Sequence, residues 1–250
     1  FDLVEAARAQ GGQVIVTIFV NPLQFGAGED FDAYPRCLEA DLAQLEERGV
    51  DLVYAPSVQD MYPQGAPQIQ LHPGPLGEVF EGAVRPGHFR GVLTVVTKLA
   101  RRTRAQVAVF GQKDAQQLAL VRQLNRDLDL GLKIIAVPTR READGLALSS
   151  RNAYLTAAQR QAALALPQAI TAGQQAAREG AGSAQIVQAA RHHLAPGRPL
   201  EFPDYLELVD PHTFQVVPEP FHGPALLIGA FKVGPTRLID NAPVTVALGA

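Results

Sequence analysis

The chain contains four serines, and two of them stand side by side as Ser149-Ser150, directly before Arg151. They close the stretch VPTRREADGLALSSRNAYL, residues 137–155. In it a charged segment with a single glycine, Gly145, precedes Leu146-Ala147-Leu148 and the serine pair. Two hydroxyl donors and a guanidinium fork, on a loop that Gly145 could let move, suit several phosphate oxygens at once. The competing reading makes a serine the cap of the next helix and Arg151 a solvated side chain.

Lys113 is the second candidate. It follows an apolar run and Gly111-Gln112, and it stands beside Asp114 at the start of a helical pattern. A cation there opposes the positive end of the helix dipole, at a cost of about 0.3–1 kcal/mol. An anion bound at that turn would reverse the balance, because free backbone N–H groups point the same way. Gly111 would let a ligand approach the backbone closely. Without such a ligand, Lys113 is a surface lysine beside a capping aspartate. Gln24 and Gln117 form a third constellation, since each amide can hold a hydroxy acid or a neutral amine without committing charge. Gln117 follows Lys113 by four residues, which on a helix places both on one face. His88, between Arg85 and Arg90, is either an aid to an anionic substrate or a structural loop histidine.

These residues need a scaffold that brings their loops together. Residues 14–20 (VIVTIFV), 51–55, 106–110 and 132–137 read as strands, the first and third buried on both faces. Helical patterns fall at 1–10, 38–48, 91–104 and 115–127, and a short strand is expected at 68–71. Strands alternating with helices predict a parallel sheet with helical crossovers. In such sheets ligands sit beyond the carboxyl ends of the strands, where 21–24, 111–114 and 139–151 would converge. The valines at 92, 95 and 96 would wall a pocket or simply fill the core. From about residue 153 the character changes: alanine-rich helices at 156–178 and 184–194, then short strands at 205–209, 225–231 and 236–239 with Pro and Gly turns. The expected fold class is therefore α/β, with a domain over 1–152 and a smaller α+β domain over 153–250.

Composition excludes several function classes. Net charge is −3 and the pI near 6.1, which argues against a broad nucleic-acid footprint. No apolar run approaches the ~18 residues that span a bilayer. Cys37 is the one cysteine, so no intrachain disulfide or thiolate zinc cluster is available, which fits a reducing compartment and a cytoplasmic location. There is no GxGxxG after the first strand, no GxxxxGK[ST] loop and no GxSxG elbow. The six histidines show no metal-site spacing.

The runs FVNPLQFGAGEDFDAYPR (19–36), MYPQG (61–65), RPGHFRGVLTVVTKL (85–99), FGQKDAQQL (110–118), VPTRREADGLALSSRNAYL (137–155), DYLEL (204–208) and TRLIDN (236–241) together resemble the pantoate–β-alanine ligase family, in the family's order and across almost the whole chain. The resemblance implies a Rossmann-like nucleotidylyltransferase domain, a small C-terminal lid and a homodimer. It implies ATP with Mg²⁺, adenylation of (R)-pantoate, and displacement of AMP by β-alanine. By position, Gly111, Gln112, Lys113, Asp114, Leu148, Ser149, Ser150, Arg151 and the Arg140 backbone would contact ATP. Lys113, Ser149, Ser150 and Arg151 would stabilise developing phosphate charge; Gln24 and Gln117 would hold pantoate, and Gln24 would also meet β-alanine. No metal ligand is assigned. Three departures accompany it. The family's first strand and its HxGH motif have no counterpart here, and residues 1–4 resemble the family's residues directly after that motif, so an upstream segment is expected to be missing from this sequence. Gln112 replaces a common glutamate, and Arg140 a common small apolar residue. The alternatives are a non-catalytic nucleotide-binding or oligomerisation protein, should the motif be absent, and a transferase that forms a dinucleotide.

Overall fold

A computed structural model describes residues 1–194 and 203–247. The chain divides into two compact units, residues 1–112 with 116–137, and residues 113–115 with 138–250. The changeover thus falls at Val137–Pro138, and a three-residue piece around Lys113 groups with the second unit.

The first unit runs α1 (Asp2–Arg8), β1 (Ile15–Thr17), α2 (Leu38–Glu47), β2 (Leu52–Tyr54), α3 (Val58–Met61), α4 (Glu81–Val84), α5 (His88–Thr103), β3 (Val107–Gly111), α6 (Ala115–Asp127) and β4 (Lys133–Val137). Strand β1 pairs in parallel with β2, and β3 with β4, each across a helical crossover as expected for this fold class. The pairs form two separately hydrogen-bonded ladders, not one continuous sheet.

The strand expected over 14–20 is shorter and less buried than its composition suggests. Only Ile15–Thr17 pairs, because β2 offers three partners and the ladder ends as Ile18 N–H donates to Tyr54 O at 3.0 Å. Strand β3 is likewise half-buried along its whole length. No strand forms over 68–71: residues 68–69 are bends without a pairing partner, and Ile69 is 89% exposed.

Helix α6 covers the predicted residues, while α5 begins earlier than expected, at His88. Its N-cap is Gly87 at φ +85°. Arg101 and Arg102 lie in its last turn, where the helix dipole favours cations. Phe89, Val92 and Leu93 of α5 pack with Leu120 and Leu124 of α6, and Val95 packs on Met61 and Tyr62. The valine stripe at 92, 95 and 96 is therefore core, not the wall of an open pocket.

The second unit holds α7 (Ala157–Ala163), α8 (Ala165–Arg178), α9 (Ser183–His192) and an antiparallel sheet of β5 (Tyr205–Val209), β6 (Gly223–Val233) and β7 (Thr236–Val246), with β6 central. The single helix expected over 156–178 breaks at Leu164. Pro167 lacks the N–H that would reach back to residue 163, and it sits comfortably in the first turn of a new helix. Strands β6 and β7 are longer than predicted, since eleven residue pairs continue the ladder through Pro243 and Pro224. Leu166, Ile170 and Ile186 bury against Leu206, Leu227, Phe231 and Leu238, forming the core of this unit.

Candidate active site

The loop 138–149 is a hairpin, not a free strap. Leu148 N–H donates to Arg140 O at 2.8 Å, Glu142 N–H to Leu146 O at 2.8 Å, and Gly145 N–H to Glu142 O at 2.9 Å. Gly145 lies at φ +92°, which an L side chain rarely adopts. Its role is to close this turn, which corrects the expectation of a glycine that lets the loop move. Leu146 and Ala147 are buried, Leu146 among the core residues of the second unit, and they pin the returning arm.

Charges secure the same hairpin. Both terminal nitrogens of Arg141 donate to the Asp240 carboxylate, at 2.6 and 2.9 Å, and Nη1 also donates to Gly145 O at 3.1 Å. Arg160 bonds Glu142 and Asp144, the latter through Nε at 2.9 Å. Hydrogen bonding from Asn152, then from Arg160, holds the Glu142 carboxyl below its ordinary range. Desolvation pushes Asp144 up, but the Leu146 N–H and Arg160 outweigh it and leave that carboxyl lowered too. Both stay ionised, with a compensating guanidinium, so their repulsion of an anion nearby is muted.

Asn152 joins the hairpin to the next turn. Its Nδ2 donates to Glu142 Oε1 at 2.6 Å and to Ala147 O at 3.1 Å, while its buried Oδ1 has no partner. Ser149 caps the 3₁₀ helix Ser150–Tyr154, its Oγ accepting from Arg151 N–H at 3.3 Å. Capping occupies a lone pair and leaves the hydroxyl proton able to donate. The capping reading and the phosphate-donor reading of Ser149 are therefore compatible. Ser150 and the Leu148 side chain are exposed.

Gly111 ends β3 opposite Val137 of β4, so both strands of this ladder finish at one edge. Space beside the Gly111 Cα is open, with no atom within 4 Å of where a Cβ would stand. Gln112, Lys113 and Asp114 form a 3₁₀ turn, and α6 begins only at Ala115. The spacing of four between Lys113 and Gln117 thus crosses from one helix type into another and does not by itself place them on one face. The backbone carbonyl of Lys113 accepts from Asn241 Nδ2 at 2.8 Å. Arg140 is exposed, and its carbonyl serves the hairpin.

In the first unit, Gln24 ends the 3₁₀ turn Pro22–Gln24, and Gln117 is half-buried on α6. Asn21, 2% exposed, donates from Nδ2 to Gln24 Oε1 at 3.1 Å and to Gly91 O at 3.0 Å. Its Oδ1 accepts from Tyr62 Oη at 2.7 Å and from Leu23 N–H at 3.3 Å. Burial pushes the Tyr62 phenol up to about 12, so it stays a donor. The Gln24 amide is thereby oriented, its oxygen held and its NH₂ left to donate.

The Gln24 carbonyl has its own support. A carbonyl only accepts, so His88 carries its proton on Nδ1, 2.9 Å from Gln24 O; Nε2 then accepts from Arg85 Nη1 at 3.1 Å. Glu29 takes the Arg85 fork at 2.9 and 2.7 Å, and the bonded guanidinium lowers its carboxyl. Burial, reinforced by Arg85, lowers His88 to about 4. His88 is a neutral structural bridge. The sequence contained the run RPGH but no sign that Glu29 completes it. Gln116 was also missed: this buried neighbour of Gln117 accepts from Glu81 N–H and donates to Leu76 O and Val79 O. Adjacent glutamines on a helix look alike in sequence, and only burial separates their duties.

Among the described residues no helix is long and apolar enough to cross a membrane, and no group of His, Cys, Asp and Glu is placed to hold a metal ion.

A family model described as pantoate-beta-alanine ligase matches residues 1–243. The chain is 54% identical over 246 residues to a pantothenate synthetase of Nocardia farcinica, covering 98% of this chain and 74% of that protein. It is 48% identical to one of Streptomyces avermitilis, covering 96% and 86%. A crystal structure of pantothenate synthetase from Thermus thermophilus superposes with a TM-score of 0.91 at 46% identity, over 96% of this chain and 86% of that one. A pantoate-beta-alanine ligase from Francisella tularensis, complexed with beta-gamma ATP and beta-alanine, gives 0.75 at 32% identity, over 96% and 83%. This chain belongs to the pantoate–beta-alanine ligase family.

Proposed function

We infer that this protein joins (R)-pantoate to β-alanine at the expense of ATP. A pantoate carboxylate oxygen attacks the α-phosphorus, pyrophosphate leaves, and pantoyl-adenylate forms. The neutral amine of β-alanine then attacks the activated carbonyl; AMP departs, the amine loses a proton, and pantothenate is released. The observation that carries this reading is the family match over residues 1–243.

The residue roles belong to the same proposal. Lys113, Ser149, Ser150 and Arg151 stabilise charge growing on the phosphates during the first attack. Gly111, Gln112, Asp114, Leu148 and the Arg140 backbone complete the ATP contacts. Gln24 and Gln117 orient pantoate, and Gln24 also meets β-alanine; the observed NH₂ of Gln24 is suitably presented for an acid oxygen. Mg²⁺ enters with ATP. A hard dication prefers oxygen, and the residues gathered around the hairpin are hydroxyls and cations with carboxylates already paired. Bound with ATP, the ion would offset phosphate charge, while Lys113, Ser149, Ser150 and Arg151 supply the protein's own donors.

Functionally, residues 1–152 bind ATP and pantoate, and 153–250 act as the lid that keeps water from the adenylate. The compact units differ in counting residues 113–115 and 138–152 with the second. A homodimer and a cytoplasmic location complete the reading.

The test is AMP release by the full-length protein with ATP and Mg²⁺. AMP that requires both pantoate and β-alanine is expected. Release without that dependence, no release, or a dinucleotide product would each overturn the assignment.

A further inference from the structure

We propose that the adjacent residues Asp240 and Asn241 of β7 are positioning residues that hold Lys113 and the 140–151 segment in fixed relation for ATP. The proposal rests on the reading above of Lys113 and Ser149–Arg151 as ATP contacts.

Two consecutive polar residues are buried in the middle of β7, a strand whose inward face is otherwise mostly apolar. Every second residue of β7 faces inward, Leu238, Ala242, Val244 and Val246 among them, and Asp240 falls on that same face. An ionised carboxylate there is costly unless it is fully bonded, and an apolar residue would pack the position at lower cost. Asn241, one step along, points to the opposite face and is buried as well. Packing explains neither residue. Their partners do.

Asp240 takes both Arg141 nitrogens and the Asn241 N–H at 2.8 Å, and Arg141 in turn holds the Gly145 carbonyl. That fixes the hairpin whose second arm runs straight into Ser149, Ser150 and Arg151. Asn241 Nδ2 donates to the Lys113 carbonyl 128 positions away in sequence. That fixes the backbone of the 3₁₀ turn from which the lysine ammonium extends. Residues 113–115 accordingly group with the second unit although both flanking segments belong to the first. One peptide unit of β7 therefore bonds both segments, beyond the point where the β3–β4 ladder that leads into them has ended. Electrostatic stabilisation of a phosphate depends on donors arriving pre-aimed, and a displacement of about 1 Å can cost on the order of 10² in rate.

The experiment measures Asn241→Ala, with Asn241→Val as a second variant that suits a strand, against Lys113→Ala and the Lys113→Ala/Asn241→Ala double variant. Thermal melting identifies whichever variant folds. The KM for ATP is expected to rise roughly tenfold, with the KM for β-alanine changed less than about twofold. In the Lys113→Ala background the Asn241 loss should largely vanish, because both act through one group. Calorimetric ATP binding should weaken in step. A folded variant with wild-type ATP affinity, equal loss for all three substrates, or losses that multiply fully with Lys113→Ala would overturn the proposal. If wild-type protein binds ATP but releases no AMP, the ligase reading fails, while weakened ATP binding by the variants would still uphold the positioning pair.

Discussion

Arg141 closes on Asp240 through both guanidinium nitrogens, at 2.6 and 2.9 Å, across 99 positions of sequence, and the Asp240 side chain is 1% exposed. The fork supplies both oxygens of this buried carboxylate with donors, and it ties the hairpin to β7 beside the contacts made by Arg160, Asn152 and Leu146. Asp240→Asn is expected to cost about 3 kcal/mol, the lower end for breaking a buried pair, because Arg141 retains some solvent. A melting curve reads this directly. An unchanged midpoint would show that the pair contributes nothing to holding the hairpin.

His88 contributes a pH dependence whose sign follows from its lowered pKa. Unfolded, the imidazole titrates near 6.5; folded, near 4. Between those values the unfolded chain binds the extra proton, so stability present above 6.5 is lost as pH falls toward 4, by about 3 kcal/mol in total. Arg85, Glu29 and Glu81 are the charged groups acting on the ring. The variant His88→Gln should flatten the dependence of melting temperature on pH between 7 and 5. Glu29, whose carboxyl is also lowered, loses its contribution only below about 4.5, outside that window. An imidazole midpoint above 6 by proton NMR would refute the assignment.

Gly91 separates local propensity from tertiary packing. It lies inside α5, where alanine is favoured by about 1 kcal/mol. A Cβ there would stand 2.2 Å from Leu23 O and 2.6 Å from Gln24 N, both backbone atoms. Gly91→Ala should therefore lower the melting temperature and raise the KM for pantoate, because the turn that presents Gln24 must move. A stabilised variant with normal pantoate kinetics would mean that the contact relaxes freely.

Removing the ammonium should be felt in chemistry more than in folding. Lys113 is half-buried and its carbonyl, not its side chain, carries the observed bond. Lys113→Ala is expected to lower the AMP-forming rate by about 10²–10³ with little change in melting temperature. Wild-type turnover in this variant would remove Lys113 from the catalytic set.

Much of the architecture was legible in the sequence. Helix α6 fell on the residues its periodicity marked, the parallel pairing followed from alternating strands and helices, and β3 and β4 finish at one edge, with Gly111 opposite Val137. Pro167 could have warned of the break at Leu164, since its missing N–H is a local fact. The buried strand over 14–20 misled because apolar composition records what could be buried, while β2 decided how much was paired.

What the sequence determined by itself is the set of chemical groups and the short elements that carry them, because helix periodicity, capping and turn formation involve neighbours a few residues apart. Which polar group meets which was decided only by the tertiary structure. Asp240 and Arg141, Asn241 and Lys113, Glu29 and Arg85 are brought together by sheet register and helix packing acting over 56 to 128 positions. A bidentate fork or an amide bond has no periodic trace in the chain: its partner is chosen by distance in space, and that distance exists only once the core has closed.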